Sequence, residues 1–178
     1  MRCLAALVAL AVTASPIAAA ATERPCLTPA EFTALSSYAL PSIITGTAQR
    51  CAASLPPGAW LNRNGDRLAS RYAQGRAEVW PDAKAAFVKL SATSGGGSDA
   101  ANLIKSLPDA TQQQMLDALI SGMVVQQLPP SRCGVVDQMV RVLSPLPPEN
   151  AAELIALTVG LGAKTGRTKL GMLSICPA

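Results

Sequence analysis

The sequence predicts an all-α fold, a small disulfide-stapled bundle of about five to seven helices once an N-terminal leader is removed. Three observations predict it. Helix-spaced apolar residues recur along most of the chain, whereas the strict alternation of a half-buried strand is scarce. Only two Trp, two Tyr and two Phe occur in 178 residues, so the core must be built from Leu, Ile, Val, Ala and Met, which suits packed helices. Beyond the leader, Cys26, Cys51, Cys133 and Cys176 form an even set that reads as two disulfides in an exported protein.

The leader is residues 1–21. Arg2 supplies positive charge, Leu4 to Val12 is uninterruptedly apolar, and Pro16 precedes the small residues Ala18 to Ala21. This is the layout of a cleavable signal peptide. No charge intervenes between Cys3 and Thr22, a span that approaches bilayer length, but the strongly apolar part is too short for an anchor. Cys26 follows Glu23-Arg24-Pro25 rather than small and aliphatic residues, which excludes a lipoprotein signal. Residues 22–178 have the length of one helical domain with a single core. The alanine-rich composition and the lack of an Asn-x-Ser/Thr acceptor fit bacterial export, to the periplasm or the medium. No transmembrane helix is expected in the mature chain.

Thr28-Pro29-Ala30-Glu31 opens the first helix, with a capping residue, proline at the first helical position and glutamate at the third. Its apolar positions keep helical spacing from Phe32 through Leu55, until Pro56-Pro57-Gly58 stops it. Pro41 falls inside, so the helix either kinks or divides there. A second helical stretch runs from about Asn64 to Leu90, with Gly75 and Pro81 as points of interruption. Ser94-Gly95-Gly96-Gly97-Ser98 reads as a flexible loop, too poor in side chains to offset the entropy of ordering it. Further helices are expected at 98–106, 109–127, 132–143 and 148–162, with Ser98, Asp109 and Ser131 as caps. The apolar residues of 162–178 suggest that this segment packs back onto the body and ends in a bridge at Cys176.

A continuous first helix would hold Cys26 and Cys51 about 35 Å apart, whereas a disulfide needs Cα atoms within about 7 Å. Both bridges are therefore expected to cross the glycine loop, joining Cys26 and Cys51 to Cys133 and Cys176.

Absences exclude most familiar chemistry. Without histidine the chain cannot build a Ser-His-Asp or Cys-His site or a histidine-bearing metal centre. No Cys-x-x-Cys pair suggests zinc, no Ser-x-x-Lys or Gly-x-Ser-x-Gly occurs, and no cofactor motif is present. Gly160-Leu161-Gly162-Ala163-Lys164-Thr165-Gly166 lacks the residue order of a phosphate loop and reads as glycine at a helix end. A net charge of +4 is too small for a nucleic-acid partner.

Three features remain. Arg63, Arg67 and Arg71 recur every four residues and align positive charge on one helix face, pointing to an anionic envelope component or another protein, unless Asp66, Glu78 or Asp82 pair with them. Glu78 and Asp82, one turn apart beside Trp80 and with Asp66 upstream, are the best catalytic candidate, two carboxylates that could divide acid and base work in a small cell-wall glycoside hydrolase. Met115, Leu116, Leu119, Ile120, Met123 and Val124 form a broad apolar stripe, either a core helix or the wall of a lipid or peptide groove. The reading that results is an exported, non-enzymatic helical protein with a binding or structural role in the cell envelope. Protein purified from an oxidising bacterial host should begin at Thr22 or Ala21. Intact-mass spectrometry that finds Met1 or Arg2 retained would refute the signal peptide.

Overall fold

The computed structural model describes residues 26–93, 97–164 and Cys176. The segment expected to be a signal peptide, the first part of the glycine loop and nearly all of the chain after Lys164 lie outside the described residues. Among the described residues there are seven α-helices, one short 3-10 turn and no strand: α1 (Pro29–Cys51), α2 (Trp60–Ala73), α3 (Arg76–Thr93), α4 (Gly97–Ser106), α5 (Asp109–Gln127), α6 (Cys133–Leu143) and α7 (Pro148–Lys164). The all-α expectation is met.

The first helix begins where the capping residues place it. The Glu31 N–H donates to the Thr28 hydroxyl at 3.2 Å, and the Thr28 N–H donates to the Glu31 carboxylate at 2.7 Å. Pro41 leaves α1 continuous. Loss of one backbone hydrogen bond is tolerated because α1 is held by packing on several sides. It ends at Cys51 rather than Leu55, and the Leu55 N–H returns to the Cys51 carbonyl in the turn that follows.

α4 packs on α3, while α2, α3, α5 and α7 pack directly on α1. α2 and α3 run back along it in succession. Gly65 of α2 lies so close to α1 that an added Cβ would stand 3.3 Å from the Ala48 Cβ, Trp80 of α3 meets Tyr38 with ring centroids 4.9 Å apart, and Lys89 reaches Glu31. α7 runs back along another side, and α6 lies against α2. Cys133 joins Cys51 at one end of α1, and Ile155 and Val159 pack with Leu27 and Phe32 at the other. α5 lies against a further side, with Leu116 and Ile120 in the cluster that holds Tyr38, Trp80 and Phe87. The result is a helix buried along most of its length, including Leu40, Ile44 and even Ser36, Ser42 and Thr47.

Several boundaries differ from expectation. α2 starts at Trp60, not Asn64, and is capped from a distance: its Leu61 N–H donates to Asp137 of α6 at 2.6 Å. The break between α2 and α3 falls at Gln74-Gly75, while α3 passes through Pro81 without interruption. The loop expected at 94–98 is shorter at its far end, because Gly97 opens α4 with a φ of 59° and Ser98 is already helical. That left-handed φ suits glycine. Asp109 does not cap α5, whose preceding residue is Pro108, and its carboxylate instead serves α3. Ser131 lies in the 3-10 turn Pro130–Arg132 and makes no cap hydrogen bond for α6. α7 continues to Lys164, so Gly160 and Gly162 sit within the helix rather than past its end.

The disulfides are Cys26–Cys176, with Cα atoms 5.0 Å apart, and Cys51–Cys133, at 5.5 Å. Both cross the glycine loop as expected. Beside the first, the Cys176 N–H donates to the Leu27 carbonyl at 2.8 Å. Non-reducing peptide mapping should recover these two pairs and no Cys26–Cys51 peptide. Replacing Cys51 and Cys133 by Ser should cost about 4 to 5 kcal/mol in urea denaturation, because that bridge closes a long loop in the unfolded chain.

Candidate functional site

The charged groups divide into those the fold uses and those it leaves in water. Arg76, at the start of α3, is the most heavily used. Its Nε donates to the Tyr38 carbonyl at 3.1 Å, its guanidinium carbon stands 3.9 Å from the Tyr38 ring centre, and it forms a two-pronged ion pair with Asp117 of α5. Asp117 also accepts from the Ser42 hydroxyl at 2.7 Å. One arginine thus ties α1, α3 and α5 together. Burial pushes the Tyr38 phenol up to about 12, with Arg76 acting against that shift.

Two further ion pairs are structural. Lys84 meets Asp109 at 2.6 Å while the Trp80 indole N–H donates to the same carboxylate at 3.0 Å. These two partners hold the Asp109 carboxyl below its ordinary value. Lys89 meets Glu31 at 2.9 Å and, with the Thr28 N–H, lowers the Glu31 carboxyl in the same way.

The arginine row on α2 is different. Arg63, Arg67 and Arg71 are all exposed. Among the described residues none of the three has a carboxylate within ion-pair distance, and Asp66, Glu78 and Asp82 pair with none of them. Arg71 donates to the Ser144 carbonyl at the end of α6, and its guanidinium lies 5.5 Å from the Tyr72 ring centre. Tyr72 also donates to the Leu146 carbonyl at 2.9 Å. These bonds, with the Asp137 bond at the opposite end, fasten α2 alongside α6. Between the two helices lies a cleft of about 180 Å³, lined by Trp60, Asn64, Arg67, Leu68, Arg71 and Ser144. It can admit a small anionic group beside two guanidinium groups but is smaller than a typical ligand pocket.

A larger open groove of about 560 Å³ lies along α3 and α4, lined by Ala85, Val88 and Ala101 together with Lys84, Lys89 and Lys105. Two of those lysines are already neutralised by Asp109 and Glu31, so its charge is mostly committed to the fold.

The remaining sequence candidates are not assembled into a site. Glu78 and Asp82 are exposed on α3 and line neither the cleft nor the groove. Trp80, between them in sequence, is buried in the core, as residues two apart on a helix point in nearly opposite directions. The stripe on α5 is divided: Leu116 and Ile120 are buried in the core, Leu119 and Met123 are exposed, and neither the cleft nor the groove is lined by any residue from Met115 to Val124. Among the described residues no cluster of carboxylates or cysteines is arranged to hold a metal ion, and no helix is long and apolar enough to cross a membrane.

The sequence reading missed a second apolar row on α6. Cys133, Val136, Val140 and Leu143 face inward or sit half-buried, as an amphipathic helix requires, but Val135, Met139 and Val142 also recur at helical spacing and are exposed. The signal was available in the run Gly134-Val135-Val136, which is apolar on more than one face. No protein family, curated protein or solved structure matches the chain.

Replacing Glu78 by Gln, or Asp82 by Asn, should change stability by less than about 0.5 kcal/mol, as for other exposed positions. Replacing Asp117 by Asn should cost about 1 to 2 kcal/mol, because Arg76 then keeps a half-buried charge without its counter-ion. Urea titrations of the three variants at neutral pH distinguish these outcomes.

Proposed function

We propose that this chain is an exported, non-enzymatic helical protein of the cell envelope that binds an anionic envelope component on the outer face of α2. The observation that carries the reading is the contrast among its cations. Arg76, Lys84 and Lys89 each have a carboxylate partner, whereas Arg63 and Arg67 stand exposed on one face without one among the described residues. Like charges one turn apart repel weakly on an isolated helix. A row kept in that state gains from an outside anion, and guanidinium groups meet phosphate or carboxylate oxygens with paired donors. Removal of residues 1–21 on export would place this face outside the cytoplasm.

A hydrolytic reading draws no support from the exposed, separate positions of Glu78 and Asp82. A carrier reading draws no support from the cleft or the groove, neither of which is lined by any residue from Met115 to Val124.

Inorganic polyphosphate serves as a simple probe. The purified chain should bind it with an affinity that falls as salt is added, since exposed charges are screened over about 10 Å at moderate ionic strength. Replacing both Arg63 and Arg67 by Gln should abolish most of that binding and leave the thermal melt unchanged. Replacing Lys84 by Gln should leave polyphosphate binding largely intact. Equal binding by wild type and the double arginine variant would overturn the proposal.

A further inference from the structure

Resting on the anionic reading of α2, we infer that the cleft between α2 and α6 takes one acidic sugar unit, a pyranose that carries a phosphate or a carboxylate. Trp60, Asn64, Arg67 and Arg71 follow one another at spacings of four, three and four residues, which keeps them in a straight stripe along a helix of 3.6 residues per turn. All four line the cleft, with the buried Leu68 and with Ser144 at the end of α6. A strict four-residue repeat drifts around the helix axis, and Arg63 is not among the lining residues. The cleft thus sorts the arginine row: Arg67 and Arg71 stand in it and Arg63 stands outside.

The lining offers more than charge. Arg71 is pinned from two sides, donating to the Ser144 carbonyl while its guanidinium lies 5.5 Å from the Tyr72 ring centre. A guanidinium carries five N–H donors, so one bond to Ser144 leaves most of them for a ligand. The Arg67 guanidinium makes no ion pair or hydrogen bond among the described residues. Asn64 commits its amide nitrogen to the Trp60 carbonyl at 3.0 Å, and its side-chain oxygen remains as an acceptor. Trp60 is half-buried against the core cluster that holds Leu61 and Leu68, and its indole N–H has no partner among the described residues. An inorganic anion presents acceptor oxygens almost alone, which leaves the Asn64 oxygen and the indole ring without a role. A sugar acid uses every group: its acid meets Arg67 and Arg71 through charge-assisted bonds, its hydroxyls serve the Asn64 oxygen and the indole N–H, and the C–H face of its ring covers apolar indole surface. A cleft of about 180 Å³ is on the scale of one such unit rather than of a larger ligand.

The chain has only two tryptophans, and Trp80 is buried in the core, so the two indole N–H signals in a proton–nitrogen NMR spectrum of the purified protein read the cleft directly, assigned with Trp60→Phe. Glucose 6-phosphate and glucuronate supply the two acids on a sugar, and glucose and inorganic phosphate supply sugar and acid alone. One or both acidic sugars should shift the Trp60 signal saturably and leave that of Trp80 in place, with glucose and inorganic phosphate binding at least about tenfold more weakly. Arg67→Gln should weaken acidic-sugar binding about tenfold or more by removing a charge-assisted bond. Asn64→Ala should weaken it about threefold to tenfold, and Arg63→Gln should leave it within about twofold, all three variants keeping their circular dichroism and thermal melt. If inorganic phosphate binds as tightly as the acidic sugars, or if polyphosphate binds and neither acidic sugar moves the Trp60 signal, the sugar inference fails and the anionic reading stands. If neither polyphosphate nor either acidic sugar binds, both fail. If Arg63→Gln weakens acidic-sugar binding as much as Arg67→Gln does, the cleft is not the site and the inference is overturned.

Discussion

The burial of α1 is the constraint on which the rest depends. A helix that is apolar or small on nearly every side cannot stand at the edge of a protein, and it is stable only when other helices cover it. α2 and α3 cover one side, α7 another, and α5 a third. Short connections suit this arrangement, since α2, α3, α5 and α7 all lie along the same central rod. Both disulfides act at its ends: Cys26 precedes the first turn and Cys51 is the last residue. The covalent bonds therefore fasten later parts of the chain to the element that most needs cover.

Polar groups inside this arrangement are used economically. Arg76 joins three helices through a carbonyl, a carboxylate and an aromatic face, and Asp117 answers both Arg76 and Ser42. Gln112 is the exception among the described side chains. Its amide nitrogen donates to the Leu107 carbonyl at 2.8 Å, while its oxygen is buried without a partner. Such an orphan acceptor is costly in a dry interior. The two uses of charge, inward fastening and outward display, are what separate the scaffold from the candidate surface.

The sequence made local features legible and distant ones obscure. Thr28 to Glu31 announced the start of α1 because a capping box is completed within four residues, and the unbroken apolar period through Pro41 foretold a continuous helix. From that length alone it followed that Cys26 and Cys51 cannot pair. Which cysteine each would take was not readable, since it depends on how α6 and α7 lie relative to α1. The start of α2 was misplaced for the same reason, because its cap comes from Asp137, 76 residues away. Closeness in sequence is no guide to pairing here: Arg76, Lys84 and Lys89 sit close to Glu78 and Asp82, yet their partners are 41, 25 and 58 residues distant. The arginine row could be read from its spacing, whereas the exposure of Val135, Met139 and Val142 could not, because apolar residues at helical spacing ordinarily face a core.

The disulfide connectivity bears on the order of events during biogenesis. On the proposed export route, a chain threaded from its N-terminus would present Cys26 and Cys51 to an oxidising compartment long before Cys133, and Cys176 last of all. Oxidation in order of arrival would join Cys26 to Cys51, a pairing the finished protein does not contain. Early coiling of α1, favoured by its local capping box, holds those two thiols about 35 Å apart, and so acts as a spacer against premature closure. Any chain oxidised before that helix forms would need its bridge reshuffled by thiol exchange. On that route the central helix would guard the fidelity of a covalent step that needs almost the whole chain to have been delivered.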